Sequence, residues 1–74
     1  MTLQERRKAK GITQKELAEM SGISQRNIQH YEAGYRDLDG AKLETLSKLA
    51  IALGCNIPDI LNSEELKKLF QKEK

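Results

Sequence analysis

The chain has 74 residues, a formal net charge of +2 and a single cysteine, Cys55. That length suits one domain near the lower limit for folding without a metal or disulfide, and one cysteine excludes both an intrachain disulfide and a cysteine-based zinc site. No apolar run approaches the ~20 residues of a membrane span, no signal-peptide core opens the chain, and the cysteine usage suits a reducing compartment, so the expected location is the cytoplasm.

Apolar residues recur at helical spacing without strand-like alternation, punctuated by five glycines and by Pro58. The first helix is expected from Thr2 to Lys10, with Gly11 taking the left-handed conformation that ends it. The second opens at Thr13, where Thr13-Gln14-Lys15-Glu16 has the capping-box pattern, and ends near Met20. Ser24 caps the third, Gln25 to Ala33, which carries Ile28 and Tyr31 on one face and stops at Gly34. Tyr35 to Gly40 read as a loop. The fourth helix spans Ala41 to Leu53 with Leu43, Leu46, Leu49, Ala50 and Leu53 as its core stripe, and Gly54 closes it. The fifth starts at Asn56, with Pro58 and Asp59 in its first turn. Ser63 is placed to cap a short sixth helix, in which Leu66, Leu69 and Phe70 share a face. The expected fold is all-α, a compact five-helix orthogonal bundle with a candidate sixth helix at its C-terminal side.

The charge is uneven. Residues 1–10 contain Arg6, Arg7, Lys8 and Lys10 against Glu5, whereas Glu44, Asp59, Glu64 and Glu65 come later, so one face can attract phosphate while the total stays small. The informative stretch is Gln14 to Tyr31. Two short helices crossing steeply must nearly touch, which asks for a small residue at the crossing (Ala18). The turn needs a residue that tolerates positive φ (Gly22), and the second helix needs a branched apolar anchor (Ile28). These are the requirements of a helix-turn-helix.

With Arg7, Gly11-Ile12-Thr13-Gln14-Lys15-Glu16-Leu17-Ala18, Gly22-Ile23-Ser24-Gln25, Ile28, Tyr31-Glu32-Ala33-Gly34 and Leu46 through Leu49-Ala50 to Leu53-Gly54, the chain resembles the Cro/phage-repressor class of helix-turn-helix domains. That class includes the xenobiotic-response-element-like bacterial regulators, and the resemblance covers residues 3–61. It implies a lambda-repressor-like five-helix fold in which the third helix reads bases and the second lies across the DNA backbone. It also implies that Arg7 and Glu32 form a partly buried structural pair, and it supports Gln14 as a phosphate contact. The chain departs from the family in a longer segment between Gly34 and Leu46, and in Arg6, which stands where an apolar residue is usual; its stem is expected along the core edge with the guanidinium in water.

On a helical wheel, Gln25, Arg26, Gln29 and His30 point away from Ile28. They are the candidate base contacts, since glutamine pairs bidentately with adenine and arginine with guanine. Gln14, at the amide-rich start of the second helix, leads the candidate phosphate contacts, followed by Lys15, Arg36 and Lys42. Cys55 reads as a small buried hydrophobe. No catalytic, cofactor-binding or metal-binding residues are assigned: one histidine, no phosphate-cradling glycine loop and no ligand cluster argue against an enzyme.

The expectation is a DNA-binding domain over 1–62 and an amphipathic helix or tail over 63–74. The protein would be a transcriptional regulator, in repressor form, binding double-stranded DNA as a homodimer through Ile57, Ile60, Leu66, Leu69 and Phe70. No small-molecule ligand or membrane partner is expected. Folding of the C-terminal stripe back onto its own domain stays open beside the dimer. The rival function is an antitoxin-type helix-turn-helix protein whose main partner is a toxin.

Overall fold

Helices of seven to eleven residues persist only if their ends are capped and one face is buried. The computed structural model describes residues 2–71, with Phe70 and Gln71 described by their backbone alone. In chain order it contains α1 (Leu3–Ala9), α2 (Gln14–Ser21), α3 (Gln25–Ala33), α4 (Leu43–Leu53) and α5 (Glu64–Gln71). Short 3₁₀ segments lie at Leu38–Gly40 and Ile57–Ile60, and there is no strand among the described residues. The fold is an all-α bundle.

Polar side chains set the helix starts. The Thr13 amide donates to Glu16 Oε1 at 2.8 Å and the Glu16 amide donates to Thr13 Oγ1 at 3.0 Å, a reciprocal box repeated by Thr2 and Glu5 at α1. Ser24 and Ser63 accept from the amides of Asn27 and Leu66, capping α3 and α5. Gly22 ends α2 at φ +77°. Nothing lies within 4 Å of where its Cβ would stand, so backbone conformation alone calls for glycine there.

The buried residues of the core come from α1 to α4, the two 3₁₀ segments and Leu61. Leu3, Leu17, Ile28, Leu46, Leu49, Ala50 and Leu53 are buried together, with Ile12, Ala18, Ile23 and Tyr31 packed around them. α2 packs on both α3 and α4, and α1 on α3. Each fully buried leucine or isoleucine contributes roughly 1.5–3 kcal/mol.

Four details depart from the sequence reading. α4 begins at Leu43 because Ala41 and Lys42 are extended, with ψ 156° and 149°. Leu43 is 61% exposed and outside the core; it opens the helix, about 70° around the wheel from the centre of the stripe. The expected loop contains the Leu38–Gly40 turn, whose Leu38 is buried in the core. Asp37 Oδ1 accepts from the Asp39 amide at 3.0 Å, and Asp39 Oδ1 accepts from the Asn62 amide at 2.7 Å, so the turn is fixed at both ends.

The third departure is the expected fifth helix, which is only the 3₁₀ segment Ile57–Ile60. Its Ile60, with Leu61, is fully buried. α5 packs on that segment, and Leu66 reaches the core. Of the five residues expected at a dimer contact, Ile57, Ile60 and Leu66 are therefore used by their own domain. Leu69 is 60% exposed, and the Phe70 side chain lies outside the described residues. Finally, the Arg6 guanidinium is not simply in water. Its Nη2 lies 3.5 Å from Asp59 Oδ1, tying α1 to the 3₁₀ segment, while Nε is buried without a partner.

Candidate nucleic-acid interface

Only Gly22, Ile23 and Ser24 separate α2 from α3. The Gly22 amide donates to the Ala18 carbonyl at 2.9 Å and the Ile23 amide to Ser21 Oγ at 3.1 Å, so the turn's polar groups are satisfied where the two helices meet. Ser21 has no distinguishing signature in the sequence, yet it is buried and braces this turn.

Burial of Ile28 orients α3. With that residue inward, Gln25, Arg26 and Gln29 are exposed and His30 is half-buried. α3 contains one acid, Glu32, which is turned away into an internal network. Arg7 Nε donates to Glu32 Oε2 at 2.7 Å and Arg7 Nη2 to Oε1 at 3.0 Å. Arg7 Nη1 donates to the Ile12 carbonyl at 2.9 Å, and Gln14 Nε2 donates to Glu32 Oε1 at 2.9 Å. The side chains of Arg7 and Glu32 are only 10% and 3% exposed. One bidentate pair thus joins α1 to α3 and also holds the first residue of α2.

Burial pushes the Glu32 carboxyl up, but the hydrogen bonds from Arg7 and Gln14 and the nearby positive charges of Arg7 and Lys8 outweigh it. The carboxyl is left below its ordinary value. The hydrogen bond to Glu32 holds Arg7 above its own. Both groups are ionised at neutral pH, and the outward face of α3 carries Arg26 with no acid beside it.

The other candidate contacts fall in two places. Gln14 and Lys15 occupy the first turn of α2, half-buried and exposed respectively. The capping box engages the amides of Thr13 and Glu16, whereas those of Gln14 and Lys15 have no intrahelical acceptor. The link from Gln14 to Glu32 spans 18 residues and has no local signature in the sequence. Arg36 and Lys42 are exposed and line one open depression with Asn27, Tyr31 and the acid Asp37. Lys42 occupies the cap position of α4 without a side-chain cap bond.

Cys55 is partly buried against the core, and burial pushes its thiol above the ordinary value. No group of three histidine, cysteine, aspartate or glutamate residues among those described could hold a metal ion. No described helix is long and apolar enough to cross a membrane.

A tight turn between two capped helices, the second anchored by Ile28 and polar on its outer side, defines a helix-turn-helix protein. The family described as helix-turn-helix matches residues 3–60, and the chain belongs to that family, of the Cro/C1 type. The chain is 38% identical over 66 residues to the HTH-type transcriptional regulator ImmR of Bacillus subtilis (strain 168), an alignment covering 89% of this chain and 50% of that protein. The chain therefore spans about half the length of the curated relative it matches. No solved structure matches it.

Proposed function

We propose that the chain is a sequence-specific, double-stranded-DNA-binding transcriptional regulator, acting in the cytoplasm as a homodimeric repressor on a two-fold symmetric operator. The observation that carries this reading is the acid-free outer face of α3, with Gln25 and Arg26 exposed in its first turn. α3 lies in the major groove. Gln25 and Arg26 reach the base edges, as bidentate partners for adenine and guanine, while Gln29 and His30 contact bases or their flanks one turn further on. The α2 first turn, with Gln14 and Lys15, and the Arg36/Lys42 depression hold phosphates on either side. The name of the Bacillus relative, a transcriptional regulator, supports the regulatory role.

A single inserted helix contacts few base pairs, which gives little discrimination in a genome, and two copies double the contacts. The domain measures 34 × 24 × 20 Å, so two copies side by side can set their α3 helices the ~34 Å of one DNA turn apart. Ile57, Ile60 and Leu66 are taken up by the core, so pairing is weak in free solution and completed on DNA.

The test is selection of bound duplexes from a random pool, followed by footprinting and stoichiometry on the selected site. A conserved, two-fold symmetric site holding two protomers is expected. A pool that yields no preferred sequence would overturn the reading.

A further inference from the structure

Tyr35 is the most exposed large side chain with apolar character among the described residues, at 81%, yet its position is fixed. Gly34, at φ +87°, turns the chain back at the end of α3. The Tyr35 amide then donates to the His30 carbonyl at 2.9 Å, and the Arg36 amide donates to the same carbonyl at 3.2 Å. The phenol ring stands edge-on to the His30 imidazole, with centroids 5.8 Å apart and planes at 89°. Arg26, His30 and Tyr35 thereby form a continuous stripe, in which Arg26 and His30 are four residues apart on one helical face and Tyr35 extends the stripe past the helix end. The backbone bonds place Tyr35 at the end of α3, and its exposed ring, edge-on to a candidate base-reading side chain, is open to the same partner as that side chain.

We propose that Tyr35 belongs to the DNA-contacting surface, an inference that rests on the DNA-binding reading above. It acts in two ways. Its ring sets the orientation in which His30 meets a base, which makes Tyr35 a positioning residue for readout. Its hydroxyl donates to a phosphate oxygen where the C-terminal end of α3 leaves the groove. The neighbouring Arg36 lies beside Lys42 in the open depression, where Asp37 is the one acid of the lining and its carboxylate accepts from the Asp39 amide; two cations against one acid leave that end net positive and suited to phosphate. A phenol adds a neutral donor to those two cations.

Binding of the selected duplex, and of single-base-pair variants of it, is to be measured for the wild type, Tyr35→Phe, Tyr35→Ala, His30→Ala and the Tyr35→Ala/His30→Ala double variant. Tyr35→Phe keeps the ring and should lose only the phosphate bond. Affinity then falls about three- to tenfold on every duplex alike, with selectivity intact. Tyr35→Ala should in addition relax selectivity at the base pair relaxed by His30→Ala, and the double variant should be no more relaxed there than either single one. In the free protein, Tyr35→Ala should shift the His30 ring resonances while leaving the thermal midpoint unchanged.

Wild-type affinity in Tyr35→Phe overturns the phosphate contact, and selectivity at the His30 base pair left intact in Tyr35→Ala overturns the positioning role. If the wild type selects a sequence and both Tyr35 variants bind like it, this inference fails while the DNA-binding reading stands. If the wild type selects none, the reading fails and the inference with it.

Discussion

Removing one partner of a buried ion pair costs more than the pair contributes, because the remaining charge keeps its desolvation and loses its compensation. Glu32 accepts from both Arg7 and Gln14, so Glu32→Ala should destabilise the domain by something on the order of 3 kcal/mol in denaturant unfolding. Adding Arg7→Ala should recover part of that loss; strictly additive costs would show that the two side chains are not energetically coupled. The same carboxyl gives a pH signature. Its folded value is below the ~4.3 of a free glutamate, so its stabilisation is complete above that pH and is lost as pH falls through the lower folded value. Wild type should therefore lose stability faster than Glu32→Gln below about pH 4.3, and parallel curves would contradict the assignment. On the outer face, Arg26→Ala should cost about 1–3 kcal/mol on the preferred duplex and relax one base pair per half-site. Gln14→Ala should weaken all duplexes about equally. It also removes a brace on Glu32, so the comparison is made at a temperature where both variants are folded.

At the scale of elements, the α2–turn–α3 unit depends on a cap before it and a left-handed glycine inside it. Thr13→Ala opens the box with Glu16 and should cost about 1 kcal/mol. Gly22→Ala meets no neighbour and should cost only the backbone strain, about 1–2 kcal/mol. Both changes should lower the urea midpoint and leave DNA selectivity intact, because neither moves the outer face of α3. A change in selectivity without a change in stability would mean that the turn itself contacts the duplex.

Across the whole molecule, the core is closed by residues distant in the chain. Leu38, Ile60 and Leu61 come from segments outside the α-helices and are buried with the leucines of α4. The Asp39–Asn62 hydrogen bond spans 23 residues and links the turn after α3 to the approach to α5. Leu38→Ala should accordingly behave as a core truncation, costing about 2–5 kcal/mol in thermal or chemical unfolding; a loop-like cost well below 1 kcal/mol would remove it from the core. Leu69, exposed on α5, is the described remnant of the apolar stripe. Leu69→Asp should leave the monomer folded and reduce two protomers per selected site to one. Unchanged stoichiometry would move the dimer contact elsewhere.

Signals that act within about four residues were legible directly. The capping box at Thr13, the serine caps of α3 and α5, the glycine between α2 and α3 and the inward direction of Ile28 all depend on backbone groups one turn away, so the sequence determined where the first three helices lie and which side of α3 faces out. What it could not determine is which apolar residue finds a partner. Leu43 satisfies helical spacing but stands exposed, while Leu38 breaks the pattern and is buried, because burial depends on elements that meet only after folding. Gln14 holding Glu32 across 18 residues, Arg6 meeting Asp59 and Tyr35 standing against His30 are likewise decisions of the tertiary structure. Local backbone geometry is encoded by nearest neighbours, whereas side-chain partnership across the chain is set by close packing, which no short window of sequence contains.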